Sequence, residues 1–547
     1  MSKKADIILS SNAVFTGVNS RPEPASIAII GNKIAAIGSK EEISSYIGND
    51  TQMHDYQDQL IMPGFHDFHL HVFPGSLELD SVSLLDAKSE EEAAEMVRQF
   101  ADKRPEASWI IGFSWDNANW ENKQLPTRAS LDRVLPDRPV ILSHIECHYA
   151  WVNSKALEVM GITRDTPNPP FGIVDKDENG ELTGILYEKA MDLIFKGAYD
   201  FSKEKKLQML KKFFSLTAEY GVTSVNDMYA PTSDFLDDYG LFDTLEKSGE
   251  LSTRIHLLPA LSADLERAKE LRDTYSSDML QFSGLKYFID GVITGYTAFM
   301  LDPYNDKPET RGSSSVSPDI FKELVVNADR AGFRVRVHAI GDAGVRLALD
   351  AFQEAQNVNG VRDSRHTIEH IESIHPDDID RFGQLGVIAS MQPHHLALID
   401  NKVYSARLGK ERNKLTFAIN TLKKAGAKLA FGTDFPVTSI NPMLEIYRAV
   451  TRVDYSGSPE NVWNKDERIS LSEALKAYTY GPAYGTFREH KLGTIEPGKL
   501  ADIIVLDRNL FEVPPEEILE TKVSLTITDG RIVFEQGACN KKVVESK

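Results

Sequence analysis

LIMPGFHDFHLH, residues 60–71, has the pattern of a buried strand that ends in histidines. After the apolar lead Leu60-Ile61-Met62, it places two imidazoles, His69 and His71, one residue apart. In an extended chain residues two apart share a face, so both rings are expected to point the same way. On its own this pair is weak evidence for a metal site. With 14 histidines in 547 residues such pairs arise by chance, and the alternative is two exposed histidines in a loop.

Seven further β-rich runs that end in polar residues follow, with amphipathic helical stretches between them. They are GVTSVNDM (221–228), RIHLLPAL (254–261), GLKYFIDG (284–291), FRVRVHAIGD (333–342), RHTIEH (365–370), GVIASMQP (386–393) and KLAFGTD (428–434). Strands that alternate with helices predict parallel βα units, and eight such units predict an α/β fold, a TIM-like (β/α)₈ barrel. Catalytic groups gather at the carboxyl ends of barrel strands.

Both termini carry short strand-like runs with turn residues, such as SIAIIGNKIAAIGS near the start and VSLTITDGRIVFEQG near the end. Their similarity predicts one small β-sandwich built from both ends of the chain. We expect residues 1–62 and 481–547 to form this sandwich and residues 63–480 to form the barrel. A large insertion at about 72–220 is rich in aromatic residues and long enough to fold over the barrel mouth.

Composition narrows the possible partners. The chain has 61 Lys and Arg against 81 Asp and Glu, and the net charge of −20 argues against nucleic acid and anionic membranes. No stretch approaches 18 uninterrupted apolar residues, so we expect a cytoplasmic protein. The two cysteines, Cys147 and Cys539, exclude a disulfide framework and a zinc site built from cysteine.

Three more candidate metal ligands close predicted strands: His338, His370 and Asp434. His338 and His370 are 32 residues apart, one βα unit, and Asp434 follows after two more units. Each has an alternative: a lone histidine is often a satisfied core residue, and Asp434 could cap a short helix. His366 and His370 could also form a helical pair, although Thr367 and Ile368 favour a strand.

Lys286 lies within the otherwise apolar run GLKYFIDG. A lysine there is most often exposed or extends its stem to solvent, but a barrel strand has no edge. Burial lowers the pKa of a lysine and frees its amine to react with CO₂, which gives an anionic carbamate. Such a carbamate on Lys286 would let two metals share one ligand.

Several of these segments together resemble a known family. MPGFHDFHLH, the single histidines of strands five and six, the aspartate of GTD and the terminal EPGKLADIIVLD resemble the amidohydrolase superfamily of metal-dependent hydrolases. WDNANW, SHIECHYAWVNSKAL, GELTGILYEKA, KYFIDGVITGYTAFMLDPY and HAIGDAGVRLAL resemble its YtcJ-like branch, amidohydrolase family 3, which includes N-substituted formamide deformylase. Two departures, His66 and Tyr296, leave the metal set unchanged but bear on the substrate.

The resemblance implies roles for single residues. His69, His71 and Asp434 would hold one metal, His338 and His370 a second, and carbamylated Lys286 would bridge them. This set suits one or two Zn²⁺ ions, with Mn²⁺, Fe²⁺ or Co²⁺ as alternatives. The implied reaction is cleavage of an amide- or formamide-type C–N bond by metal-activated hydroxide. Asp434 would act as base and then acid, with assistance from His148, and the family often forms homodimers.

Specificity and the competing functions stay open. Trp115, Trp120, Trp151 and His394 of the pair His394-His395 are candidate substrate contacts, although tryptophan is most often a packing residue. A heterocycle deaminase is the alternative enzyme, but HAIGD lacks the glutamate that such enzymes usually carry soon after the strand-five histidine. A non-catalytic binding or assembly protein is a third alternative, which the complete ligand set disfavours.

Overall fold

The computed structural model describes residues 3–117, 120–145, 149–170 and 172–537. The chain divides into two compact units. The first comprises Met1–His71, Phe214–Tyr229 and Phe242–Lys547, and the second comprises Val72–Phe213 and Ala230–Leu241. Among the described residues, no helix combines the length and the apolar character that crossing a bilayer requires.

Strands from both ends of the chain form one mixed sheet of eight strands in the first unit. They are Ile7–Val14, Glu23–Ile30, Lys33–Gly38, Gln52–Asp55, Leu60–Pro63, Ile503–Leu506, Val523–Thr528 and Arg531–Glu535. The two ends of the chain meet where Ile503–Leu506 pairs antiparallel with Leu60–Pro63. Ile61 and Val505 belong to one buried apolar cluster, which explains why β-branched residues recur at both termini.

The parallel strands of the first unit form two sheets. The four-stranded sheet has the order Leu280–Phe282, Arg254–Leu258, Val222–Met228 and Phe65–Leu70. The five-stranded sheet has the order Leu285–Phe288, Val335–Ala339, Thr367–His370, Ile388–Met391 and Lys428–Phe431. Two isolated parallel bridges connect the two sheets: Ala260, just beyond Arg254–Leu258, pairs with Lys286, and Leu70 pairs with Phe435, just beyond Lys428–Phe431. The run GLKYFIDG, predicted as the fourth strand, is preceded by a short separate strand, Leu280–Phe282.

Helices alternate with these parallel strands. They are Lys203–Glu219, Tyr239–Lys247, Glu266–Thr274, Pro318–Arg330, Asp342–Asn359, Ile379–Leu385, Asn401–Arg412, Ile419–Lys424, Pro442–Thr451, Leu471–Ala477 and Tyr480–Gly485, with Lys40–Ile43 near the amino terminus. Local chemistry starts several of them: Ser317 accepts a hydrogen bond from the N–H of Ile320, and Pro318 follows it at the first helical position. Apart from Leu280–Phe282, which leads directly into Leu285–Phe288, these parallel strands are followed by helices, which places their carboxyl ends together at one edge.

The second unit is built around a six-stranded sheet. Its order is Gly172–Lys176, Leu182–Glu188, Tyr149–Val152, Val140–His144, Ile110–Trp115 and Val82–Ser83. The helices of this unit are Val72–Glu78, Glu90–Asp102, Arg128–Val134, Ser154–Val159, Asp192–Ala198 and Ser233–Leu236. Val97, Ile110 and Leu142 contribute to its buried apolar core.

Candidate metal centre

His69 and His71 follow one another at the end of the first parallel strand, and hydrogen bonds fix both rings. Nδ1 of His69 donates to Oε2 of Glu369 at 2.7 Å, and Nδ1 of His71 donates to the carbonyl of Met228 at 2.8 Å. Because a carboxylate and a carbonyl only accept, each ring keeps its hydrogen on Nδ1 and its lone pair on Nε2. Both Nε2 atoms face Oδ1 of Asp434, at 3.3 Å from His69 and 3.2 Å from His71.

Asp434 lies just beyond Lys428–Phe431, the last strand of the five-stranded sheet, in the left-handed backbone region with φ 59°. A residue other than glycine rarely adopts this conformation, and such residues cluster at functional sites. Its N–H donates to the carbonyl of His69 at 2.6 Å, which ties this loop to the first strand. The next helix, Pro442–Thr451, is capped by Asn441. Asp434 therefore does not serve as the cap of that helix.

His370 and His338 extend the cluster from neighbouring strands. Nδ1 of His370 donates to Oε1 of Gln392 at 2.9 Å, which leaves the Nε2 lone pair free. The ring centroid of His370 lies 4.9 Å from that of His69 and 4.5 Å from that of His338. Nε2 of His338 lies 3.4 Å from the carbonyl of Gly291. These rings therefore form a continuous group across the strand ends.

His366 faces away from this group. Its Nε2 lies 3.1 Å from Oδ1 of Asp329, and its Nδ1 accepts a hydrogen bond from the N–H of Val335 at 3.1 Å. The chain from Thr367 to His370 is a strand. The alternative of a helical pair between His366 and His370 is therefore wrong, and His366 is a satisfied core histidine.

Lys286 is buried beside the histidines, with 1 % of its surface exposed. Its Nζ lies 3.4 Å from Nε2 of His69 and 4.8 Å from the ring centroid of Phe288. Burial lowers the pKa of this lysine from 10.5 to about 8, although the charges of Glu369 and Asp434 oppose the shift. About a tenth of the Lys286 amine is therefore unprotonated at pH 7, and about half at pH 8.

The donor set fits a divalent cation. One ligand atom each from His69, His370 and Asp434 lies within 4.8 Å of the other two. Burial lowers the pKa of His69 to about 4 and that of His338 to about 3, so these imidazoles are neutral at pH 7. Burial opposes ionisation of Asp434, but its interactions with His69, His71 and His370 hold its pKa well below 3.8. Neutral imidazoles and an ionised carboxylate are the states that bind metals.

The adjacent histidines His394 and His395 lie in one short 3₁₀ helix, Pro393–Ala397, but have different surroundings. Nε2 of His395 lies 3.7 Å from Oδ2 of Asp434, and its Nδ1 lies 3.9 Å from Oε1 of Glu372. His394 is half-buried, and its backbone N–H donates to Glu445 at 2.7 Å. The sequence singled out His394, whereas the structure brings His395 to the carboxylate. Nothing in the sequence indicates which of two adjacent histidines turns inward.

The predicted substrate residues Trp115, Trp120 and Trp151 belong to the buried core of the second unit. The indole N–H of Trp115 donates to the carbonyl of Leu142 at 2.8 Å, and that of Trp151 to the carbonyl of Thr127 at 2.9 Å. Full burial of all three side chains, together with the backbone partners of Trp115 and Trp151, favours the alternative that these residues pack the core. Contact with a substrate stays a prediction.

His148, the residue expected to assist the reaction, lies outside the described residues, as do Cys147 and Cys539. Its role stays a prediction that rests on the resemblance of the surrounding segment to the family.

A buried ion pair between Arg336 and Glu369 lies behind His69 and was not predicted from the sequence. Nε of Arg336 donates to Oε1 of Glu369 at 2.6 Å, and Nη2 donates to the carbonyl of Phe68 at 2.6 Å. Nη1 of Arg336 donates to Oδ1 of Asn226 at 2.9 Å. Arg336 shares a strand face with His338 in the run VRVHA, and this spacing was the one available signal. The pair fixes the carboxylate that orients His69.

Comparisons with known proteins agree with this geometry. The profile of the amidohydrolase family matches residues 52–534. The protein LONG AFTER FAR-RED 3 of Arabidopsis thaliana is 32% identical over 97% of this chain and 92% of its own. The YtcJ protein of Bacillus subtilis is 31% identical over 96% and 98%, respectively. The N-substituted formamide deformylase of Arthrobacter pascens is 26% identical over 98% and 99%.

A solved structure shows the same relationship in three dimensions. An uncharacterised metal-dependent hydrolase from Pyrococcus horikoshii OT3 superposes with a TM-score of 0.77 at 27% identity, covering 93% of this chain and 99% of its own. The family profile spans most of the chain and includes all six candidate ligand positions. The chain therefore belongs to the amidohydrolase family.

Proposed function

We propose that this protein is a metal-dependent hydrolase that cleaves the C–N bond of an amide- or formamide-type small molecule. The observation that carries the proposal is the buried convergence of His69, His370 and Asp434, with one ligand atom from each lying within 4.8 Å of the others. The relative named as an N-substituted formamide deformylase, similar over nearly its whole length, supports the bond type.

The proposed scaffold is a (β/α)₈ barrel that carries a β-sandwich built from both termini. Support for closure of the barrel comes from the strand order and from the two parallel bridges that connect the sheets. The proposed domains are residues 1–62 and 481–547 for the sandwich and 63–480 for the barrel with its insertion. In such a barrel the ligands would share the carboxyl edge of the strands, where this fold places its active sites.

The residues proposed to hold metal are His69, His71, Lys286, His338, His370 and Asp434. Nitrogen and oxygen donors without cysteine suit one or two Zn²⁺, with Mn²⁺, Fe²⁺ or Co²⁺ as alternatives. When bound, such a cation would polarise the scissile carbonyl and lower the pKa of water. The tautomers set by Glu369 and Met228 keep the Nε2 lone pairs of His69 and His71 directed at the centre.

Asp434 is the proposed proton carrier. Its Oδ1 faces the two histidines of the first strand, whereas Oδ2 lies 3.7 Å from Nε2 of His395. As an ionised carboxylate it would accept a proton from the attacking water through Oδ2 and return that proton to the departing nitrogen. Protonation of the nitrogen is required because an amide anion is a poor leaving group.

Lys286 is expected to become carbamylated in a pH-dependent way. Its free amine would add to CO₂ and release one proton, leaving a carbamate anion. Burial lowers the pKa of Lys286 to about 8, so the free amine, and with it the carbamate, is lost as the pH falls below that value. Carbon NMR of the metal-free protein in ¹³C-bicarbonate should show a carbamate signal at pH 8.5 that shrinks toward pH 7. Lys286→Gln should lack it, and an unchanged signal in that variant would contradict the assignment.

His395 is expected to affect turnover more than its neighbour. Its Nε2 has no hydrogen-bond partner among the described residues and lies near Oδ2 of Asp434, where the substrate would be held. His395→Asn should lower kcat/KM by roughly 10- to 100-fold, the value of one hydrogen bond to a charged group. His394→Asn is the matched control and should stay within about twofold of wild type. Equal losses in both variants, or a loss of metal in His395→Asn, would refute this role.

The function itself is tested with the metal-loaded full chain. N-substituted formamides, N-acyl amines and cyclic amides are supplied, and the released amine and carboxylic acid are quantified. We expect at least one equivalent of bound metal and release of amine with formate or another acid. Release of ammonia from heterocyclic amines would instead identify a deaminase, and protein that purifies without metal and binds none would favour a non-catalytic role.

A further inference from the structure

A second group of buried polar side chains lies outside the candidate metal centre, with His66 and Arg334 near the amino-terminal ends of strands Phe65–Leu70 and Val335–Ala339. We call His66, His256, Arg334 and Arg488 the basal cluster. The rings of His66 and His256 stack with centroids 4.9 Å apart. His256 pairs in register with Gln281, whose Oε1 accepts a hydrogen bond from Nη1 of Arg488. These contacts connect His66, His256 and Arg488, and Arg334 is near enough for its charge to act on both imidazoles.

The protonation of His66 follows from its neighbours. Oδ1 of Asn226 accepts from Arg336, and a guanidinium can only donate, so the amide orientation of Asn226 is fixed. Its Nδ2 must then donate to Nε2 of His66, at 2.8 Å. A neutral His66 therefore carries its hydrogen on Nδ1. Among the described residues nothing accepts that hydrogen.

Other nitrogens of the basal cluster also lack partners within the described chain. They are both ring nitrogens of His256, Nε and Nη1 of Arg334, and Nε of Arg488. The guanidinium atoms donate only, and a neutral His256 has one donor and one acceptor. With Nδ1 of His66, five of these six buried nitrogens carry hydrogen and one accepts. An unsatisfied buried donor is unfavourable, so the cluster lacks an acceptor.

The positive charge of Arg334 also favours an anion at the basal cluster. Arg334 is 4 % exposed, and it forms no ion pair with a carboxylate in the described chain; its one side-chain hydrogen bond runs from Nη2 to Oγ of Ser283 at 2.8 Å. The carboxylate that acts on it electrostatically, Glu369, is engaged by Arg336 and His69. Burial, with Arg336 nearby, lowers the pKa of Arg334 well below its usual value. A buried cation of this kind requires a counter-charge.

The remaining cations of this region already have partners. Arg254 donates to both oxygens of Asp502, at 2.7 and 2.8 Å, and to Asp529 at 2.9 Å. Arg488 donates to Asp278 at 2.7 Å. Burial lowers the pKa of His66 and His256 well below 6.5, so at neutral pH both rings supply N–H groups without charge.

We propose that the basal cluster binds a small monovalent anion of the halide class, such as chloride. The ion would accept hydrogen bonds from Arg334, Arg488 and the two imidazoles and would neutralise Arg334. A water molecule fits less well, because it would have to donate two hydrogens where one acceptor is present. All the unpartnered nitrogens are closed to solvent, which favours a single-atom ion over a larger polyatomic anion.

The direct test uses crystals of the full wild-type chain grown with sodium bromide in place of sodium chloride. We expect an anomalous bromide peak in hydrogen-bond contact with Nη1 of Arg334 and with the ring of His256. Absence of the peak, with only water molecules at the cluster, would overturn the proposal. This measurement needs no variant and does not depend on the metal or on turnover.

A solution test asks whether the ion stabilises the fold. At constant ionic strength, replacing sodium gluconate with sodium chloride should raise the thermal unfolding midpoint of the wild type to a plateau. Arg334→Met should lose this response, whereas Arg508→Met, which alters a partly exposed ion pair, should keep it. A chloride response that is equal in wild type and Arg334→Met would overturn the proposal. If Arg334→Met does not fold, the wild-type titration and the bromide crystals decide.

Discussion

Asp434→Asn is expected to lower kcat/KM by roughly 10²- to 10⁴-fold, the range measured for loss of a general acid or base. Asparagine preserves the shape of the side chain but can neither accept the proton through Oδ2 nor offer an anionic ligand to the metal. The same carboxylate would supply both functions. Its Oδ1 lies within 3.3 Å of Nε2 in His69 and His71, where the metal would bind. Steady-state kinetics with the substrate identified by screening, together with metal content by elemental analysis, measures the effect.

The control for this prediction is Asp377→Asn, which makes the same change at a side chain that is 80% exposed. It should leave both kcat/KM and metal content within experimental error of wild type. If Asp434→Asn retained its full metal content and more than about a tenth of the wild-type rate, Asp434 would not be the proton carrier. Full activity with reduced metal content would mean that Asp434 binds the metal but does not carry the proton.

Arg336→Met is expected to lower the free energy of unfolding by about 3–5 kcal/mol, the cost of stranding one partner of a buried ion pair. Glu369 is fully buried and receives two hydrogen bonds from Arg336, at 2.6 and 3.1 Å. Without the guanidinium, this carboxylate would have to lose its charge or attract water into the core. Urea unfolding of metal-free protein, followed by circular dichroism, measures the loss without a contribution from metal binding.

The double variant Arg336→Met/Glu369→Gln should recover part of this loss, because it removes the stranded charge. Glu369→Gln alone should weaken metal binding by roughly 10- to 100-fold, since Glu369 orients the ring of His69. Arg508→Met is the matched control, and removing its partly exposed pair with Asp507 should cost about 0–1 kcal/mol. A loss of that small size for Arg336→Met would show that the buried pair contributes little.

The strand ends were predictable because the information is local. Alternating apolar residues such as Val335 and Val337 indicate a strand, and the polar residue that closes each run marks its end. Parallel strands joined by helices place those ends at one edge, so spacing alone brought His338 and His370 together. The structure places these two ring centroids 4.5 Å apart.

The residues behind the candidate metal ligands were not predictable in the same way. Glu369 and Arg336 are 33 residues apart, and Asn226 is 110 residues from Arg336, so their contacts depend on strand register and not on a local pattern. A polar residue in a strand gives no sign of which partner it meets across a sheet. The division between His394 and His395 likewise depends on the direction of one turn. The three tryptophans were candidates by composition, which does not distinguish a pocket wall from a core.

The pairing between the two ends of the chain has a consequence for biosynthesis. Ile503 pairs with Pro63, so strand Leu60–Pro63 can pair with Ile503–Leu506 only after the ribosome has added a further 440 residues. At roughly 5–20 residues per second, ribosomes need about 20–90 s to cover that distance. Throughout this interval the nascent chain exposes an open strand edge of apolar residues, Leu60 to Met62. Co-translational protection of this edge by a chaperone is therefore an expected requirement for efficient production of the protein.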